Sequence, residues 1–234
     1  MSQLKVLVMV AIGAAVAIAN VSPANAFSLS IGGKAAAGSG YVSNVSGSQT
    51  ITFESGAPTS GFATYSTPSG TPGVVQGSKA GHHATPLGNA TKYLTIAPVG
   101  SGVAGSTGSV SVNFTKAVDF FGLYWGSVDT HNYVDLYKGN TLLKTFSGKD
   151  VSNTATGNWT GSSDNVFVDI FAGKGESFDK VVLRANGLAF ETDNHAYRVA
   201  STPEPGSMLG LLAVGLLATP LLKRQVAKAV KSEA

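Results

Sequence analysis

The sequence contains no cysteine, and only 12% of its 234 residues are charged. Without cysteine the chain can form neither disulfide bonds nor thiolate metal sites. The small charged fraction and the 29 glycines disfavour a charged helical protein and indicate a turn-rich body. A Gly-x-Ser-x-Gly nucleophile elbow, a phosphate-binding glycine loop and a zincin motif are also missing. We therefore expect a protein that is not an enzyme.

The net charge of +3 is unevenly distributed along the chain. Between Phe27 and Ala200, eleven lysines and arginines balance eleven aspartates and glutamates, so the whole excess lies at the two ends. Basic residues that flank an apolar segment stay on the cytoplasmic side of a membrane, so this excess indicates topology. Nucleic acid is not an expected partner, because its binding would need a basic face on the folded body.

The first 26 residues have the three parts of a secretory signal peptide. Lys5 precedes an apolar run over residues 6–19, and Ala24 and Ala26 occupy the −3 and −1 positions of a cleavage site before Phe27. Small residues at these positions fit the signal peptidase. The segment predicts export through the inner membrane by the general secretion machinery. The alternative is a buried N-terminal helix.

Residues 201–225 form a second targeting pattern. Pro203, Glu204 and Pro205 precede an apolar stretch over about residues 206–222, which predicts a short transmembrane helix. Lys223 and Arg224 follow immediately and begin a basic tail over residues 223–234. The prolines keep the preceding segment extended and accessible. The alternative is a plain tail anchor that is never processed.

This order of Pro-Glu-Pro motif, short apolar helix and basic stop resembles the PEP-CTERM sorting signal. The resemblance covers about thirty residues and implies recognition by exosortase, a membrane-embedded cysteine peptidase that cleaves near the motif. It also implies transient membrane anchoring, followed by a location at the cell surface or outside the cell. The class is usual in Gram-negative bacteria that make extracellular polysaccharide.

The body over residues 27–200 reads as an all-β domain. Several segments alternate apolar and polar residues with period two, as in residues 109–114 and 165–171, and no amphipathic helix is evident. Gly139-Asn140 predicts a two-residue hairpin turn. We expect an antiparallel β-sandwich, jelly-roll-like and similar to lectins and carbohydrate-binding modules. The predicted strands are 49–53, 73–76, 92–96, 109–115, 119–125, 132–138, 141–146, 165–171, 180–185 and 195–200, and the predicted loops include 32–40 and 55–73.

A second and less specific resemblance covers about residues 74–200. Its motifs are Phe121 to Asp129 (FGLYWGSVD), Tyr137 to Asn140 (YKGN) and Phe190 to Tyr197 (FETDNHAY). They look like those of a family of exosortase-dependent surface proteins with an uncharacterised β-rich body. The resemblance implies a shared fold and a surface location, and it brings no catalytic residues with it.

Three carboxylates form the sharpest candidate site. The first and last strands of a lectin-like jelly roll often lie side by side, so Glu54, Glu191 and Asp193 would share one calcium ion there. The alternative is that Glu191 and Asp193 face outward on a strand and Glu54 opens a turn. Glu191-x-Asp193 also resembles part of the Glu-x-Asp-x-x-Glu motif of laminarinase-type glycosidases, but the third position is Ala196, so the catalytic pair is incomplete.

Trp159 is the candidate glycan contact, because it lies in the polar segment over residues 156–161 and an aromatic ring suits a sugar face. The alternative is a packing role. His82 and His83 are expected on a loop rather than in a metal site. We expect an exported, non-catalytic protein with a structural or adhesive role in an exopolysaccharide context. A calcium-assisted carbohydrate-binding module is the alternative.

Overall fold

The computed structural model describes residues 27–68 and 70–201. The expected signal peptide, with its cleavage residues Ala24 and Ala26, lies outside the described residues. The same holds for the expected sorting signal beyond Ser201, with the residues Pro203, Glu204, Pro205, Lys223 and Arg224. Within the described ranges, no helix combines the length and the apolar character needed to cross a membrane.

Antiparallel β-structure is confirmed for the body. The strands are β1 (Ser28–Gly32), β2 (Lys34–Ala36), β3 (Gly40–Val42), β4 (Gln49–Ile51), β5 (Ala63–Ser66), β6 (Gly73–Val75), β7 (Tyr93–Ile96), β8 (Ser109–Gly126), β9 (Asn132–Lys138), β10 (Thr141–Ser147), β11 (Val166–Phe171), β12 (Phe178–Ala185) and β13 (Phe190–Val199). Helical structure in the described ranges is limited to a single-turn helix, α1 (Gly148–Val151), and a 3₁₀ turn over Ser162–Asp164.

The long strand β8 organises the sheet. Its N-terminal half pairs with β12 and β5, whereas its C-terminal half pairs with β11 and β13. The main path runs β10-β9-β12-β8-β13-β7-β6, with β1 on β11 and β4 on β13, and β2 and β3 form a separate hairpin. The two halves of one strand therefore have different neighbours on both edges.

Burial along β8 explains this arrangement. In its first half the apolar side chains alternate into the core, and Val110, Val112 and Phe114 are buried. In its second half both faces are covered: Trp125 packs in the main core, while Tyr124 packs with Phe120 and Phe167 in a smaller cluster. Tyr124 and Trp125 are therefore both fully buried, on opposite faces of the strand.

The β2–β3 hairpin covers Tyr124 on the outer face of β8. Gly40 approaches the Tyr124 ring so closely that a Cβ atom there would lie 2.2 Å from it, and the Tyr41 ring lies 5.5 Å from the Tyr124 ring. The Tyr124 hydroxyl donates a hydrogen bond to the Leu87 carbonyl at 2.5 Å. The N-terminal hairpin thus adds a layer over the outer face of the sheet.

Several sequence predictions need correction. Residues 32–40 and 55–73 were expected to be loops, but they contain β2, the beginning of β3, and β5. These strands have only three or four residues, too few for a period-two pattern, so long-range pairing such as β5 with β8 defines them. The predicted strands 109–115 and 119–125 are one strand. The hairpin turn at Gly139-Asn140 is confirmed, with Gly139 at a φ of +56°.

Candidate functional site

A cleft of about 590 Å³ opens where β8 ends and β13 begins. Four chain segments meet there: the loop over residues 78–84, the segment 127–129 after β8, the loop carrying Gly157 and Trp159, and residues 188–191 before and in β13. The volume falls within the usual range for small-molecule clefts, about 300–1,000 Å³. Two exposed apolar side chains, Trp159 at 56% and Leu188 at 47%, face solvent at its walls.

Trp159 is held by a densely hydrogen-bonded loop. The side-chain oxygen Oδ1 of Asn158 accepts hydrogen bonds from the backbone N–H groups of Thr160 and Gly161 at 3.1 Å and from the Thr160 hydroxyl at 2.9 Å. The buried Asp164 carboxylate accepts from the N–H groups of Thr156 and Asn158 and from two hydroxyls. Such local bonds fix the loop backbone before any ligand arrives.

Asn165 joins this loop to the opposite wall of the cleft. Its amide Nδ2 donates to the carbonyls of Asn158 and Gly161 at 3.1 and 2.9 Å. Its Oδ1 accepts from the N–H of Leu87 at 3.0 Å and from the N–H of Ser127 at 3.3 Å. One buried amide therefore links the Trp159 loop, the residue after β8 and the segment that follows loop 78–84. The exposed tryptophan is presented by a rigid support.

Glu191 forms part of the cleft floor and is almost completely buried. Its Oε1 accepts from the Ala84 N–H at 2.9 Å, and its Oε2 accepts from the Ser127 hydroxyl at 2.6 Å. Burial raises the pKa of Glu191 to about 7, and repulsion by Asp129 acts in the same direction while the two hydrogen bonds oppose it. The carboxylate thus anchors loop 78–84 to the sheet.

Asp129 is the second carboxylate of the cleft. Its Oδ2 lies 3.5 Å from Nε2 of His131, which is longer than a good hydrogen bond. Its carboxylate packs directly against Gly157, where a Cβ atom would come within 2.4 Å of Oδ1, so the loop needs glycine there. Burial raises the pKa of Asp129, and His131 opposes that shift.

His83 lies in the turn that borders the cleft. Its Nδ1 is 2.7 Å from the Tyr93 hydroxyl, which itself donates to the Gly77 carbonyl at 2.8 Å. Because that hydroxyl has a single proton, Nδ1 of His83 is the donor in this pair. Burial lowers the pKa of His83, followed by the nearby His82 and Lys79, so the ring is neutral at pH 7.

The expected calcium triad is not formed. Among residues 27–68 and 70–201, no group of three or more histidine, aspartate or glutamate side chains is placed to hold a metal ion. Glu54 is exposed and accepts from the Lys92 N–H, whereas Glu191 binds Ala84 and Ser127. Asp193 accepts from the Asn89 amide at 2.7 Å and from the Asn194 N–H at 2.7 Å. Separate protein donors occupy the three carboxylates.

The alternative, in which Glu191 and Asp193 face outward, is also wrong. The last strand begins at Phe190 rather than at residue 195, and both carboxylates lie inside it, covered by residues 84–91. Burial raises the pKa of Asp193 to about 7, while its hydrogen bonds act in the opposite direction. These two acids hold the covering loop in place. Ala196, in the third position of the glycosidase pattern, is buried in the Tyr124 cluster.

Trp159, the predicted glycan contact, is among the residues that line the cleft. Glu191 was selected for calcium, and Asp129, Lys79 and Leu188 were not selected at all. Asp129 ends the motif over residues 121–129 and lies in a polar turn after the predicted strand 119–125, a place where loop residues often serve binding.

No protein-family model matches this chain, and no curated protein or solved structure matches it. Fold alone does not specify function, so the function is argued from the chemistry of the cleft.

Proposed function

We propose that this chain is an exported surface protein whose β body binds glycans without cleaving them, in an exopolysaccharide context. The two ends of the sequence support export and sorting. Residues 1–26 have the order of a signal peptide, and the motif Pro203-Glu204-Pro205 with Lys223 and Arg224 resembles an exosortase sorting signal. Phe27, the first residue after the proposed cleavage, already packs against Phe178 at 6.2 Å between ring centroids.

The proposal includes a jelly-roll-like β-sandwich as the finer architecture of the body. Its support is the change of partners along β8, where one strand contributes to two differently paired halves. A strand that passes between two layers in this way allows the layers to share one core.

The orientation of β13 suits display of the cleft. The strand starts at the cleft with Glu191 and ends at Val199, after which the Ala200 N–H donates to the Ala117 carbonyl. Eight residues of extended strand span about 26 Å. The chain therefore leaves the body toward its C-terminal segment at the end remote from the cleft. A protein held through its C-terminus would present the cleft away from its anchor.

The observation that carries glycan binding is the exposure of Trp159 on a rigid loop at the wall of the cleft. The exposed Trp159 ring offers a large aromatic surface to a ligand, and tryptophan is enriched at binding interfaces. A sugar ring has an apolar face, which can stack on the Trp159 ring. The hydroxyl groups at its edge can form hydrogen bonds with the carboxylate and histidine side chains that line the cleft. A rigid support lowers the entropy lost on binding.

A non-catalytic role is supported by the state of the carboxylates. Each oxygen of Glu191 already accepts a hydrogen bond from the protein, and these bonds hold loop 78–84. Asp193 is likewise engaged with Asn89 and Asn194, away from the lining of the cleft. These acids therefore serve the structure of the binding site.

A glycan array with the body over residues 27–201 tests the proposal. We expect saturable binding of at least one glycan class, weakened about tenfold in Trp159→Ala because about 1 kcal/mol or more of aromatic contact is lost. Mass spectrometry of bound oligosaccharides should show no shortened products. Leu142→Ala is the matched control, because Leu142 is 50% exposed on β10 outside the cleft. Absence of binding, or equal loss in both variants, would refute glycan recognition at this cleft.

A further inference from the structure

The floor of the cleft is acidic and has no strong cationic partner. Asp129 and Glu191 both line it. The ion pairs in the part of the chain that the structure describes join Arg184 to Asp135, Arg198 to Asp119 and His131 to Asp129. No lysine or arginine in that part therefore forms an ion pair with either carboxylate of the cleft.

The aromatic wall adds a second attraction for positive charge. The face of an indole ring is electronegative and binds cations, including ammonium groups, within about 6 Å of its centre. Trp159 lines the same cleft as the two carboxylates and is more than half exposed. A carboxylate has about four acceptor positions, so Glu191 can accept from a ligand in addition to Ala84 and Ser127.

The basic side chains that line the cleft are Lys79, His82 and His83. Lys79 lies in the exposed turn at the rim, where water and salt screen its charge. His83 is neutral at pH 7 because burial lowers its pKa, and its Nδ1 proton is directed to Tyr93. The acidic side chains, in contrast, are at the floor, where screening is less effective. Burial raises the pKa of Glu191 to about 7, and an ammonium group bound beside it would favour the ionised carboxylate.

We propose that the cleft selects glycans carrying a protonated amino group, such as amino sugars, over neutral or acidic glycans. This inference rests on the proposed glycan-binding function and specifies its ligand class. The apolar face of the sugar lies on Trp159, and the ammonium group binds the Asp129 and Glu191 carboxylates. An acidic sugar would place a third carboxylate beside these two and be repelled.

Three oligosaccharides that share one backbone test the proposal: β-1,4-linked hexamers of glucosamine, N-acetylglucosamine and glucose. They differ only in the group at carbon 2, which is respectively a basic amine that is partly protonated at pH 7, an acetamide and a hydroxyl. Titration calorimetry with the full-length chain in detergent at pH 7 should show the glucosamine hexamer binding about tenfold more tightly than the other two. A galacturonate oligomer should bind most weakly.

Charge-removing variants locate the preference. Glu191→Gln and Asp129→Asn should each reduce the glucosamine preference severalfold, whereas Trp159→Ala should weaken all three hexamers alike. Glu54→Gln removes the same charge from an exposed site outside the cleft and should leave the preference unchanged. Circular dichroism and the melting temperature identify any variant that fails to fold. Each of the two charge variants tests the amino-sugar preference by itself, so one folded variant is sufficient.

The outcomes distinguish failure of the amino-sugar preference from failure of glycan binding itself. Neutral or acidic oligomers that bind as tightly as glucosamine would overturn the amino-sugar preference and leave glycan binding intact. A glucosamine preference that persists in both charge variants would also overturn it. If no oligomer binds and the glycan array is negative as well, the proposed function itself fails.

Discussion

The unfolding free energy of the variant Glu191→Gln should increase relative to that of the native chain as the pH rises. The folded state raises the pKa of this carboxyl group from 4.5 to about 7, chiefly by burial. Between these values the folded protein binds more protons than the unfolded chain, so the unfolding free energy falls as pH increases. The stabilising contribution of the neutral acid is complete below pH 4.5 and is lost as pH passes 7.

The size of the effect follows from the shift. A difference of about 2.5 pKa units at 1.36 kcal/mol per unit corresponds to about 3 kcal/mol. Glutamine has no charge to bury, and it can still accept from the Ala84 N–H and donate to the Ser127 hydroxyl oxygen. The stability difference between Glu191→Gln and the native chain should therefore move by about 3 kcal/mol in favour of the variant from pH 4 to pH 8.

Urea unfolding followed by tryptophan fluorescence at pH 4, 5.5, 7 and 8 measures this difference. Burial lowers the pKa of His195 to about 3, so the stability that its neutral ring contributes is lost as the pH falls below 6.5. This contribution is the same in both chains and cancels when their unfolding free energies are subtracted. Leu142→Ala changes an exposed residue of β10 that carries no titratable group, so it should give a difference that stays constant with pH. A constant difference for Glu191→Gln, or one that moves toward the native chain with rising pH, would refute the argument.

Two further predictions concern the Trp159 loop and sorting. Asp164→Ala should lower the unfolding free energy by about 2–4 kcal/mol and weaken glycan binding, because four hydrogen bonds to the carboxylate are lost. Denaturant unfolding measures the first effect and the glycan array the second. Normal glycan binding by this variant would show that the loop does not need the carboxylate. Glu204→Ala, or removal of Lys223-Arg224, should leave the protein mislocalised in cells that contain exosortase. Fractionation and mass spectrometry follow the processing, and normal trimming at the surface in either variant would contradict the sorting proposal.

The strands that could be predicted are those whose burial follows local alternation. The predicted segment 132–138 coincides with β9, and the segment 141–146 is extended by one residue in β10. In β9 the core residues Val134 and Leu136 are two positions apart, and this period is visible in the sequence. β10 is an exception: only its Phe146 is buried, and the Gly139-Asn140 turn before it locates the strand. β13 was predicted only from residue 195, because its first half is a run of buried polar residues, from Glu191 to His195, that shows no alternation of apolar and polar positions.

The candidate site was predictable only in part. Trp159 stood out because an aromatic residue in a polar loop has no obvious core to enter. The calcium hypothesis failed because it assigned the carboxylates to a metal, whereas the Ala84 N–H, 107 positions away, and the Ser127 hydroxyl, 64 positions away, bind Glu191. A sequence window cannot contain the donor and the acceptor of such a bond.

By itself the sequence determined the neutral charge of the body, the absence of disulfides and the β-strand character, and the patterns at its two ends predict export and sorting. These properties depend on composition and on patterns within about twenty residues. Only the tertiary structure decided that loop 78–84, Asp129, Trp159 and Glu191 enclose one cleft. The reason is physical: the cleft depends on pairings between distant strands and on one buried amide, Asn165, that links loops far apart in the chain.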